Sequence, residues 1–82
     1  MIDNPYVELV RPYVGQKIED VGTLLPEISS YNHNYYMLPN KTTVLVESDD
    51  DGFAYVSVID DSSLEHLVGY EEWGYGFEIG NI

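Results

Sequence analysis

His33 and His66 are the two side chains in this 82-residue sequence suited to proton transfer near neutral pH. His66 shares a seven-residue stretch with Asp60, Ser62 and Ser63, the residue types of a nucleophile, a base and an orienting carboxylate. Nucleophilic relays draw their members from separate elements so that the side chains converge. On a single capped turn they do not, and this stretch reads as a capping serine beside a surface histidine. There is no glycine-rich phosphate loop and no cluster of metal-ligand spacing. The sequence therefore predicts a protein that is not an enzyme and carries no cofactor.

A second constellation is Asp49-Asp50-Asp51-Gly52. With Gly52 as position six of a calcium-binding helix–loop–helix, Glu47, Asp49 and Asp51 fall at positions one, three and five. Position twelve is then Val58, where a bidentate glutamate is required. The flanking residues alternate as strands do. These acids are expected to form a turn, and no metal site is predicted.

Charge supplies the stronger indication. Fifteen carboxylates stand against three basic side chains, a formal charge of −12. Residues 1–41 hold five acids and all three bases (Arg11, Lys17, Lys41), whereas residues 42–82 hold ten acids and no base. Such a half repels itself, and it repels DNA, RNA and anionic lipid. The expected partner is a basic protein, one whose own ligand is nucleic acid, with no direct contact to nucleic acid or membrane. The residues expected to meet it are Glu47, Asp49, Asp50, Asp51, Asp60, Asp61, Glu65, Glu71, Glu72 and Glu78. Carboxylates on a rigid sheet can stand where phosphates stand on a duplex. Eight tyrosines offer a second contact chemistry, with Tyr31, Tyr35, Tyr36, Tyr70 and Tyr75 as candidates. An acidic adaptor or assembly protein acting through such a patch is the alternative to a DNA mimic.

These residues need a scaffold. At 82 residues the chain is one domain, 1–82. A hydrophobic content of 44% argues against disorder, and the absence of cysteine points to the cytoplasm. Neither a signal peptide nor a membrane span is expected. Asn4 and Pro5 open a short helix that Pro12 opposes. Ile18, Val21, Leu24 and Leu25 are spaced for a second. Residues 31–38 read as a strand. Thr42–Ser48 and Phe53–Ile59 form a hairpin across residues 49–52. Ser62 and Glu65 have capping-box spacing for a third helix holding Leu64, Leu67 and Val68. Trp73 to Ile79 alternates bulky residues with Gly74, Gly76 and Glu78, a final strand. The expected fold class is α+β, a small antiparallel sheet of three to four strands with two or three short helices. Its core comprises Val44, Val46, Val56, Val58, Leu24, Leu25, Trp73 and Phe77.

In size, acidity and α+β pattern the whole chain resembles the small phage-encoded inhibitors that mimic DNA, such as the uracil-DNA glycosylase inhibitors. That resemblance implies an intracellular inhibitor occupying a nucleic-acid-binding surface. Residues 9–58, with Tyr13-Val14-Gly15-Gln16 and the Asp51-Gly52 hairpin, are similar to potato inhibitor I, which implies serine-protease inhibition. Here only Leu38-Pro39-Asn40-Lys41 separates the two strands that would flank a reactive loop, and no bracing arginines are present.

Overall fold

Alternating β-branched residues and a tight turn build the centre of the molecule. The computed structural model describes residues 4–72 and 74–80. Strands β3 (Thr43–Ser48) and β4 (Phe53–Ile59) pair antiparallel, from Thr43↔Ile59 to Ser48↔Ala54. Asp49 holds their turn. Its Oδ1 accepts from the backbone N–H groups of Asp51 (2.9 Å) and Phe53 (3.1 Å), and Gly52 takes φ +88°.

The sheet around this hairpin is larger than the sequence implied. Strands β1 (Thr23–Leu24), β2 (His33–Met37), β5 (Glu65–Glu72) and β6 (Gly76–Ile79) complete a six-stranded antiparallel meander in the order β1-β2-β3-β4-β5-β6. This overturns the expected three to four strands with two or three helices. Helix α1 (Pro5–Val10) does form, with Asn4 Oδ1 accepting from the Tyr6 N–H, and it runs into a 3-10 turn over Arg11–Tyr13. The second helix is reduced to one turn, α2 (Ile18–Val21). Gly22 then turns extended, and Thr23 and Leu24 pair with Met37 and Tyr36. Leu24 is consequently exposed, not core.

The third expected helix is β5. Asp60, not Ser62, organises this turn. Its Oδ1 accepts from the N–H groups of Ser62 (2.8 Å) and Leu64 (3.1 Å), while Ser63 takes φ +62°. The chain therefore folds back along β4 and does not wind forward. The β4–β5 register shifts between Val56 and Ser57, where Gly69 and Leu67 are the respective partners. The extra residue, Val68, is fully buried, while Leu67 is exposed. A bulge of this kind inserts one residue without a partner and breaks the strict alternation of a strand.

One sheet face carries the core: Val44, Val46, Val56, Val58, Val68 and Phe77, packed with Val7, Val10, Ile18 and Leu38. Tyr36 and Ile79 pack against this cluster. Trp73, also expected there, lies outside the described residues. Loop segments extend the bonding on each side of the sheet. Along β2, the Leu25 N–H bonds the Tyr35 carbonyl (2.8 Å) and Ser29 Oγ accepts from the Tyr35 N–H (3.0 Å). Along β6, the Gly15 N–H bonds the Phe77 carbonyl (2.8 Å) and the Phe77 N–H bonds the Gln16 carbonyl (3.0 Å). The second approach explains Gly76. At φ +87°, its Cβ would lie 2.7 Å from the Gly15 carbonyl oxygen. Residues 74 and 75 form the preceding turn, so the alternation seen from Trp73 onward begins as strand only at Gly76.

Candidate functional site

Antiparallel register decides which side chains share the face opposite the core. Directly paired residues stand on the same side, about 4.5–5.5 Å apart at Cβ. His33↔Glu47, Glu47↔Tyr55, Tyr55↔Tyr70 and Tyr70↔Glu78 are all direct pairs, so five strands place these residues in one row. A second row beside it runs Tyr35, Leu45, Ser57 and Leu67. Phe53 and Glu72 pair beyond Tyr55 and Tyr70. Among the described residues this outer face is open at some positions and closed at others. Tyr55 is 51% exposed and Leu67 43%, while Leu45 and Ser57 between them are buried. Phe53 packs at an angle against Tyr70, with ring centroids 6.1 Å apart. The Tyr70 hydroxyl donates to Glu78 Oε2 (3.1 Å), which raises the Tyr70 pKa. His33 Nε2 stands 3.4 Å from Glu47 Oε2.

The ten carboxylates singled out by sequence form two groups with Glu78 apart, and not one patch. Glu47 and residues 49–51 cluster near the β3–β4 turn. The β4–β5 register brings Glu71 and Glu72 beside Ala54 and Phe53 at the same end of the sheet. A cleft of about 440 Å³ opens there, lined by Asp49, Asp50, Glu71, Glu72 and Glu19 with Lys17. Asp60, Asp61 and Glu65 lie at the far end of β4, roughly 20 Å away at strand rise. Glu78 stands on the outer face.

Besides Asp49 in the β3–β4 turn, two more of these acids serve the fold. Glu71 Oε1 accepts from the Ile18 N–H at the start of α2 (2.6 Å), and partial burial raises its pKa. Asp60 Oδ2 accepts from the Tyr6 hydroxyl (3.4 Å) and lies 2.7 Å from His66 Nε2. The Tyr6 ring stacks on His66 at 3.8 Å. This clasp fastens α1 to the β4–β5 turn, and the His66 contact and turn N–H bonds lower the Asp60 pKa. The capping serine and surface histidine expected here are thus a capping aspartate and a half-buried, stacked histidine.

The two shifts act on stability in opposite directions. A raised carboxyl pKa contributes stability below its unfolded value that is lost as pH rises through the folded one. A lowered pKa contributes stability above the unfolded value that is lost as pH falls. The thermal midpoint should therefore rise as pH drops from 7 toward 4.5, through Glu71, and fall again below 3.8, through Asp60. Glu71→Gln keeps an acceptor for Ile18 and should flatten the first limb. Glu71→Ala removes the acceptor and should destabilise by about 1 kcal/mol at pH 7. Thermal scans of dilute protein across this range test both. A Glu71→Gln profile that tracked the parent's would contradict the assignment.

The five candidate tyrosines do not make one patch. Tyr35 and Tyr70 share the outer face, Tyr36 packs toward the core, and Tyr31 and Tyr75 are exposed on turns. Sequence reading missed Tyr55, Phe53 and Leu67. The signal for Tyr55 and Phe53 was the residue-by-residue alternation of β4, which marks a second face without showing which of its residues are exposed; Leu67 lies on β5, which was read as a helix. Among the described residues no group of three metal-ligating side chains comes together, and no helix is long and apolar enough to cross a membrane. Compared with family models, curated proteins and solved structures, the chain matches none.

Proposed function

We propose that this protein inhibits a basic, nucleic-acid-binding protein in the cytoplasm by occupying the surface that otherwise holds phosphates. The segregation of its charge carries the reading. Lys17, Lys41 and Arg11 all lie outside the strands, so the sheet bears acids alone. Among the described residues, the one carboxylate paired with a lysine or arginine is Glu8, with Arg11 at 2.9 Å. Among the described residues, Glu47, residues 49–51, Asp61, Glu65, Glu72 and Glu78 pair with no lysine or arginine, and Glu47 has the His33 ring beside it. Their mutual repulsion destabilises the free protein and is relieved by a basic surface.

A second reading, an adaptor using an aromatic patch, is favoured by exposed Tyr55, Phe53 and Leu67. The two differ in what releases the partner. Proteins eluted from DNA-cellulose, passed over the immobilised chain, should include one that is retained and then displaced by duplex DNA. Retention indifferent to DNA would support the adaptor. No retention would contradict the inhibitor reading.

A further inference from the structure

We infer that the outer face of the sheet is a docking surface for an arginine-bearing segment of a basic protein, with guanidinium groups lying on Tyr55 and Tyr70 between the carboxylates of Glu47 and Glu78. The inference rests on the reading of the partner as basic, and it names the side chain recognised and the place that recognises it.

The register is the first support. Glu47, Tyr55, Tyr70 and Glu78 are consecutive direct partners across β3, β4, β5 and β6, so two aromatic rings are bracketed by two acids. Four strands at about 4.8 Å spacing make this row roughly 14 Å long, room for two guanidinium groups. Exposure is the second. Tyr55 stands 51% exposed and Leu67 43% on this face, so the Tyr55 ring is open to a partner.

Charge complementarity identifies the occupant. The face carries Glu47, Glu65, Glu72 and Glu78 and no lysine or arginine. Phosphate and carboxylate ligands are repelled. An apolar segment would leave these carboxylates facing it unpaired. A guanidinium satisfies both surfaces, because it stacks on aromatic rings, sheds water more readily than an ammonium and binds carboxylates through a planar fork. On this face recognition comes from side chains, since the backbone groups of β3, β4 and β5 are taken up in ladders with their neighbours on both sides.

The full chain, isotope-labelled for amide NMR, is titrated with nona-arginine and separately with nona-lysine at equal ionic strength. Nona-arginine should bind about fivefold more tightly, as expected for one or two exposed cation–π contacts, and should shift amides around residues 45–47, 55–57 and 67–70. Tyr55→Ala should abolish the preference, and Tyr55→Phe should retain it. Tyr55 is half exposed, and an unchanged spectrum away from the site would establish that each variant folds. Equal binding of the two peptides, with shifts confined to residues 49–51, 61 and 72, would overturn the docking face and leave the basic-partner reading standing. Binding of neither peptide would overturn both.

Discussion

Phe77→Ala should lower the unfolding free energy by about 3–5 kcal/mol, enough to leave a domain of this size largely unfolded at ambient temperature. Phe77 is fully buried and is the largest wholly buried side chain of the core. Its ring lies against the position where Gly69 has no Cβ, and its backbone N–H and carbonyl tie the 15–16 loop to the sheet edge. Removing the ring leaves a cavity at the point where β5, β6 and the N-terminal segment meet. Phe53→Ala is the control, since Phe53 has the same ring on the outer face at 37% exposed. It should cost about 1 kcal/mol, because less area returns to water and no cavity forms. Urea unfolding followed by tryptophan fluorescence measures both. Similar losses for the two variants would mean that the core does not lie on the face described.

The contrast between these two phenylalanines marks how far sequence could be read. The β3–β4 hairpin was legible because Val44, Val46, Val56 and Val58 alternate around a turn whose Gly52 takes a positive φ. The helix expected from Ser62 was not β5's fault of composition. Leu64, Leu67 and Val68 suit a helix face, yet only Val68 reaches the core, while Leu64 lies before β5 and Leu67 stands exposed on the outer face. What distinguishes strand from helix here is Asp60, whose carboxylate bonds two N–H groups of the turn, meets His66 six residues on, and accepts from Tyr6 in the distant N-terminal helix. A long-range contact such as that with Tyr6 leaves no local pattern. Leu24 was misplaced for a related reason, since Gly22 ends α2 after one turn and the chain joins β2.

For the candidate surface, sequence showed the excess of acids but not their division. Glu71 looks like its neighbour Glu72, yet one bonds Ile18 and the other faces water. The row Glu47, Tyr55, Tyr70, Glu78 required a register across four strands, and the bulge in β5 shifts that register by one residue midway. No alternation rule supplies this.

Replacing Asp49, Asp50 and Asp51 together by asparagine should slow association with the basic partner by about tenfold at low salt. The fold should be unchanged or slightly more stable. The turn depends on Asp49 Oδ1 accepting two N–H groups, and an asparagine carbonyl accepts them equally well. Asp50 and Asp51 are exposed, so neutralising them removes repulsion without disturbing packing. Dissociation should change much less than association, because exposed charges act mainly on the encounter. A variant that lost stability would instead show that the carboxylates, not merely their oxygens, hold the turn.

The most direct test of the account is the association rate constant of the parent chain with the DNA-displaceable partner, measured by stopped flow across ionic strengths from about 0.02 to 0.5 M, a range over which the screening length shortens severalfold. A surface of uncompensated acids meeting a basic one predicts a steep fall in this rate with salt, and a shallower fall for the triple asparagine variant. A rate that stayed flat across the range, with affinity intact, would contradict electrostatic recognition and assign the contact to the aromatic face alone.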